Sequence, residues 1–368
     1  MDFDIAKRRV PVLFSGSYRD ARVKFIQAAP KTTSYQYSVL GPAGEKLYTD
    51  VAYFGTPKAE RLLILVSGTH GVEGYTGSAA QLLFLHCGFH EALPSSTAVL
   101  IVHALGCYGF AWDRRCTVEH VDLNRNFIDF DKPLPDNRGY EELADYIVPA
   151  DISEECINRA EVGLQAYQNE HGELAYRVAL SSGQYTRPGG VFYGGTKPTE
   201  ERRTLEHIVA DFDVTNRKQV VILDYHTGLG PYGYGELQCE MSSGQEGYDR
   251  AVKMFGNSVT SPVTGTSTAV SIPGTQDEFW QQLLGDRHTY VGPEFGTYPS
   301  ARVLLALRKD LWLFKYRPDA VDLELGRQIR KAVKDHFNPE ASDWREMVLW
   351  RSHQVHRQAI EGLASSIY

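Results

Sequence analysis

Cysteine is scarce in this chain. Five are scattered over 368 residues, at Cys87, Cys107, Cys116, Cys156 and Cys239, odd in number and without a Cys-x-x-Cys pair. This excludes a disulfide frame and a zinc knuckle, and reads as the reduced, mostly buried thiols of a cytoplasmic protein. Long apolar runs are also missing: no stretch approaches the roughly 20 residues of a membrane span. The N-terminal MDFDIAKRRVPVLF puts acids before its bases with no long apolar segment behind them, unlike a secretory signal. Clustered positive charge is lacking as well. The formal net charge is -8 with acids and bases interspersed, and the one short basic cluster near the start, Lys7-Arg8-Arg9, reads as a solvated face, which argues against nucleic acid as a partner. No Gly-x-Ser-x-Gly is present, so a serine hydrolase of the α/β type has no nucleophile turn. Gly228-x-Gly230-x-x-Gly233 follows a strand, but Pro231 interrupts it and no helix opens behind it, which excludes a dinucleotide fingerprint.

What is present is a 42% hydrophobic chain whose apolar runs are short and end at glycine or histidine. Leu62 to Val66 reads as a buried strand that stops at Ser67-Gly68. Residues 15 to 29 have helical spacing, with Ser15 or Ser17 as cap. Residues 34 to 40 and 47 to 54, joined by Gly41-Pro42-Ala43-Gly44, read as an antiparallel hairpin at a sheet edge. A buried helix over 78 to 89 and a strand over 98 to 104 complete a βαβ unit with Leu62 to Val66. From 105 to 127 the pattern is irregular, and loops of this length are often functional. Residues 138 to 217 read as mostly helical, interrupted by a glycine and aromatic loop from 181 to 198 that is equally readable as a lid or as a packed surface loop. A second buried strand, 219 to 225, ends at His226. A polar, glycine-rich region follows to Gly274, then a short helix over 276 to 284 and a strand near 288 to 291 that ends in Gly292-Pro293-Glu294-Phe295-Gly296. The remainder, from about 300 to 367, is nearly all helix. The expectation is a single α/β domain over 1–368, with a mainly helical insertion at about 130–217 and a helical C-terminus at about 300–368.

Ligand-type residues gather at the strand ends. His70 and Glu73 lie three apart in the turn after one strand, and His226 follows another. Two histidines and a carboxylate make the ligand set of an open catalytic zinc site, with a position left for water. Asp224 is expected to face away from its neighbour and to stay out of the ligand set. Asn124 and Arg125 stand side by side in the 105 to 127 segment, where arginine suits a bidentate contact with a substrate carboxylate. Arg114 and Arg115, slightly upstream, would supply a cation to an oxyanion, although each arginine alone also fits a surface ion pair. Glu294, between Pro293 and Gly296, is a general-base candidate.

The ordered series His70-x-x-Glu73, Arg114/Arg115, Asn124-Arg125, His226 and Glu294 resembles the zinc carboxypeptidase superfamily, including its succinylglutamate desuccinylase and aspartoacylase branch. The phrases SGTHGVEGYTGSAAQ, DLNRNF and DYHTGLG resemble a bacterial subfamily of it that carries only an uncharacterised-family label, over nearly the whole chain. The resemblance implies a three-layer α/β/α sandwich with a mixed, mainly parallel sheet. It implies one Zn2+ ion on His70, Glu73 and His226, carboxylate anchoring by Asn124 and Arg125, oxyanion stabilisation by Arg115 or Arg114, and Glu294 as general base. The implied activity is amide hydrolysis of a small molecule or short peptide bearing a free carboxylate. The alternative is a metal-containing, non-catalytic protein that binds a carboxylated ligand. Two departures bear on substrate. The carboxypeptidase tyrosine has no counterpart between Asn257 and Gly274, with Tyr232, Tyr234, Tyr290 and Tyr298 as stand-ins. The chain also ends in helices rather than in the β-rich C-terminal domain of the deacylase branch.

Overall fold

Five consecutive aliphatic side chains on one strand point alternately up and down, so the run from Leu62 to Val66 demands cover on both faces of its sheet. The structure, a computed structural model, provides that cover and describes residues 10–365. The Lys7-Arg8-Arg9 cluster and the last three residues lie outside the described residues. Leu63 and Leu65 face one apolar core and Leu62, Ile64 and Val66 the other. The same alternation splits Val99 and Ile101 from Ala98, Leu100 and Val102, and Val221 and Leu223 from Val220 and Ile222.

The elements run α1 (Tyr18–Ala28), β1 (Thr32–Leu40), β2 (Lys46–Phe54), β3 (Arg61–Val66), α2 (Gly74–His86), β4 (Thr97–His103), α3 (Cys107–Ala111), α4 (Arg138–Ile147), α5 (Glu154–His171), α6 (Glu173–Ser181) and α7 (Glu200–Asp211). They continue through β5 (Gln219–Asp224), β6 (His226–Gly228), β7 (Gly235–Gln238), α8 (Glu246–Phe255), β8 (Val259–Thr260), α9 (Gln276–Leu284), β9 (His288–Gly296), α10 (Ser300–Tyr316), α11 (Glu324–Phe337) and α12 (Ser342–Ala364). The described strands form one nine-stranded sheet in the order β1-β2-β4-β3-β5-β9-β7-β8, with β6 paired to β9. β4, β3, β5 and β9 are parallel neighbours, while β1, β2 and β7 add antiparallel pairings. Helices α1, α2, α8 and α12 cover one face and α7 and α9 the other. This is the expected three-layer α/β/α sandwich.

The strand order fixes where a ligand belongs. After β3 the chain moves to β4 on one side, and after β5 it moves to β9 on the other. The carboxyl ends of β3 and β5 therefore flank a topological switch point, where open α/β sheets form their crevice.

Several expectations hold closely and others shift. The hairpin, the inner strand and the 276–284 helix fall where expected, and Ser17 caps α1 by accepting from Asp20 N at 3.1 Å. Helix α2 begins four residues before the expected Ser78, because small residues let its first turn pack flush; a Cβ on Gly74 would sit 2.6 Å from the Phe110 ring. The region from Gly228 to Gly274 is not irregular throughout. It contains β7, α8 and β8, which short length and polar composition conceal.

One buried acid stands apart from any ligand crevice. Glu201, in the first turn of α7, is fully enclosed, and neither of its carboxyl oxygens meets a hydrogen-bond partner of good geometry. Burial, reinforced by the charges of Glu119 and Glu200, pushes its pKa up to about 8. A carboxyl whose folded pKa exceeds its unfolded value binds its proton more tightly when folded. Stability is therefore greatest below the ordinary range and falls as pH rises toward 8. The stability of Glu201→Gln relative to the parent should grow by on the order of 3 kcal/mol between pH 4.5 and 7. Thermal melts of both proteins across that window test this, and parallel pH curves would refute it.

Candidate metal and active site

The turn after β3 is built by close backbone approach. Gly68 takes a left-handed φ of 74°. A Cβ on Gly71 would lie 2.2 Å from the Gly109 carbonyl carbon, so only glycine lets this turn seat against α3. Two backbone hydrogen bonds pin it there: Gly71 N donates to Arg115 O at 3.1 Å and Val72 N to Arg114 O at 2.8 Å. His70 and Glu73 are thereby aimed at the end of β5, where His226 arrives.

One ligand atom from each of His70, Glu73 and His226 lies within 4.8 Å of the others, and all three residues are buried. Glu73 Oε1 faces His70 Nδ1 at 3.0 Å, Oε2 faces His226 Nδ1 at 3.1 Å, and the two Nδ1 atoms are 3.2 Å apart. The opposite ring nitrogens each meet a carboxylate: His70 Nε2 with Asp122 Oδ1 at 3.1 Å, and His226 Nε2 with Asp224 Oδ2 at 3.0 Å. A carboxylate at Nε2 draws the proton there and leaves the Nδ1 lone pair facing inward. Two such nitrogens converge beside an ionised carboxylate. Burial alone would raise Glu73, yet His70 and Arg115 hold it well below the ordinary carboxylate range. This donor set fits a divalent cation with nitrogen and oxygen preference, zinc foremost.

Asp224 corrects one expectation. Residues two apart share a strand face, so Asp224 points toward His226 rather than away from it. It stays outside the ligand set and orients the ring, itself held by Thr69 Oγ1 at 2.8 Å, Tyr290 OH at 2.9 Å and Gln276 Nε2 at 3.2 Å. Asp122 does the same for His70 and also caps its own turn by accepting from Asn124 N at 3.0 Å. The sequence carries a signal for both, an acid two residues before a strand-end histidine and an acid two before Asn124.

The two adjacent arginines diverge. Arg115 reaches the cluster, with Nη1 2.6 Å from Glu73 Oε1, Nε 2.9 Å from Asp122 Oδ2 and Nη2 2.8 Å from His70 Nε2. Arg114 turns the other way. Its guanidinium is fully buried, donates to Asp310 at 3.0 to 3.1 Å and lies 3.5 Å from the Phe314 ring centroid. Arg114 is therefore withdrawn from the oxyanion role considered for it: that guanidinium fixes the loop to α10, while the Arg114 carbonyl pins the turn. Asp310→Ala would leave a buried guanidinium without its counter-charge and should cost about 3–5 kcal/mol, read as the change in urea-unfolding free energy. A loss below 1 kcal/mol would contradict this reading.

Arg125 lies against the 181–198 loop, and Asn124 beside it against α9. Asn124 Oδ1 accepts from Gln276 N at 2.8 Å, so this amide positions α9. Arg125 is 4% exposed; Nη1 donates to Asn124 O at 2.9 Å, Nη2 to Ser181 O at 2.7 Å, and Nε has no partner. The 181–198 loop is closely packed. Tyr193 O accepts from Asp122 N, Tyr185 OH donates to Arg125 O, and the Phe192 ring lies 5.3 Å from Arg125 and 5.5 Å from Arg115.

Glu294 sits on β9 in register with His226 on β6. Its Oε1 accepts from Leu229 N at 2.8 Å, and burial, followed by the charge of Glu73, pushes its pKa up to about 8. Of the four tyrosines weighed from the sequence, Tyr290 is committed to Asp224 and Tyr232 OH to Asp343, Tyr234 is exposed, and Tyr298 packs edge-on to His336.

Fold and site together define an α/β/α protein with a buried His-Glu-His cluster at the switch point of its sheet. A family model described as "Protein of unknown function (DUF2817)" matches residues 14–351, and the chain belongs to that family. No curated protein sequence matches it. Among solved structures it is similar to bovine thrombin-activatable fibrinolysis inhibitor in complex with tick carboxypeptidase inhibitor, at 14% identity and TM-score 0.43, covering 94% of this chain and 98% of that one. It is also similar to the murein-tripeptide amidase of Escherichia coli O157, at 18% identity and TM-score 0.37 over 82% and 92% of the two chains. A third is the succinylglutamate desuccinylase of Chromobacterium violaceum, at 12% identity and TM-score 0.36 over 89% and 76%. No helix among the described residues is long and apolar enough to cross a membrane.

Proposed function

We propose that the protein is a zinc-dependent hydrolase that cleaves an amide bond in a small substrate bearing a free carboxylate. The observation that carries this reading is the convergence of two inward-facing Nδ1 atoms and the Glu73 carboxylate, beside a second buried carboxyl, Glu294, on the adjoining strand. A purely structural site has no use for that second acid. Zinc held by His70, Glu73 and His226 supplies Lewis acidity, which lowers the pKa of water and polarises a carbonyl.

The chain's own residues do the rest. Glu294 accepts the proton of the attacking water and returns it to the departing amine, with Leu229 N–H fixing the carboxyl's orientation. With the His70 proton held on Nε2 by Asp122, Arg115 Nη2 would find no acceptor at that atom and would be free to face the developing oxyanion. Arg125 anchors the substrate carboxylate, its buried and unpartnered Nε marking unused donor capacity.

Metal analysis combined with hydrolysis of a panel of N-acyl amino acids and dipeptides tests the proposal. About one zinc per chain with turnover on at least one class is expected. Full zinc occupancy with no amide cleaved would favour the non-catalytic carboxylate-binding protein, and absence of any transition metal would refute both.

A further inference from the structure

Next to Glu294 lies a cavity of about 410 Å³, lined by residues 228–232 and 297–300, within the size range of ligand pockets. It shares a wall with the cluster: Gly228 closes β6, which begins at His226, and Leu229 N–H holds Glu294 Oε1. None of the lining side chains is charged. Tyr232 and Tyr298 stand with ring centroids 6.2 Å apart at 53°, and Tyr232, like Leu229, is 39% exposed. Aromatic and aliphatic surface left open at this point lacks an apolar partner. Thr297 adds a polar feature. It is 2% exposed, and its hydroxyl has no hydrogen-bond partner, a state that a buried hydroxyl seldom keeps. At the rim Asp343 accepts from Tyr232 OH at 3.3 Å. It would repel an anion.

We infer that this cavity receives the acyl half of the substrate and selects a bulky, uncharged, ring-bearing acyl group over a short or acidic one. The ring lies against Tyr232 and Tyr298, and the Thr297 hydroxyl is left to donate to a neutral oxygen on an acyl group longer than benzoyl. A succinyl-type group would bring a second carboxylate into a wall without a cation. The inference rests on the hydrolase reading for its reaction, although the binding preference is measurable without it.

The test compares N-benzoyl, N-acetyl and N-succinyl derivatives of one amino acid by kcat/KM. Binding of N-benzoylglycine and N-acetylglycine to the zinc-loaded protein is measured alongside by calorimetry. The benzoyl compound should be preferred at least tenfold in both assays. Tyr232→Ala and Tyr298→Ala should bring that ratio near one, each variant first shown to melt like the parent. A protein that cleaves no amide yet keeps the tyrosine-dependent binding preference would sink the hydrolase reading and sustain this one. Equal use of the three acyl groups, a succinyl preference, or a benzoyl preference unmoved by both tyrosine variants would overturn it.

Discussion

Replacing His226 with alanine should reduce bound zinc from about one equivalent to below about a tenth under mild dialysis, and should abolish amide hydrolysis, because one of the three proposed protein ligands is lost. The fold should survive. Asp224, which loses its contact with His226 Nε2, keeps donors from Thr69, Tyr290 and Gln276, so no buried charge is stranded. Asp224→Asn gives a graded version of the same experiment. An amide at that position no longer draws the His226 proton to Nε2, and the affinity for zinc should drop about 10–100-fold while the ligands themselves stay intact. The measurement is zinc competition against a chromogenic chelator, run with circular dichroism to follow the fold. Undiminished zinc in His226→Ala would mean that the metal, if bound, sits elsewhere.

The fold was legible wherever apolar periodicity was strong. The runs at Leu62 and Val220 are long enough, and β-branched or aliphatic enough, to demand burial on both faces, and the helix at 276 announces itself with Thr275 as cap and acids in its first turn. Strands β7 and β8 were not legible. Two to four residues carry no period, and they are strands because β9 continues past Gly292 and offers β7 its edge, on which β8 then pairs. Within the site, the spacing of His70 and Glu73 and the strand-end position of His226 could be read in advance. The opposite fates of Arg114 and Arg115 could not. Adjacent residues in a loop have no fixed sidedness, and the choice is made by Asp310, which comes nearly two hundred residues later. The glycines of the turn serve differing needs: Gly68 its φ, and Gly71 and Gly74 the backbone and ring that press on them.

Glu294→Gln separates catalysis from binding most cleanly. The amide is isosteric and still accepts from Leu229 N–H through its oxygen, so the β9 backbone and the neighbouring cavity should be preserved. It cannot take a proton from water. Loss of a positioned general base typically costs a factor of about 10²–10⁴, and here that loss should fall on kcat, with zinc stoichiometry unchanged and KM within a few-fold of the parent. The variant also removes a buried acid whose pKa is pushed up by enclosure and by Glu73, so its stability should be no lower than the parent's at neutral pH. The acidic limb of the parent's pH–rate profile should vanish in the variant, leaving a low, flatter residual rate. If Glu294→Gln instead kept near-parental kcat with the acidic limb intact, the proton would have to be taken by another group, and the assignment of Glu294 as the base would fail even with the metal site confirmed.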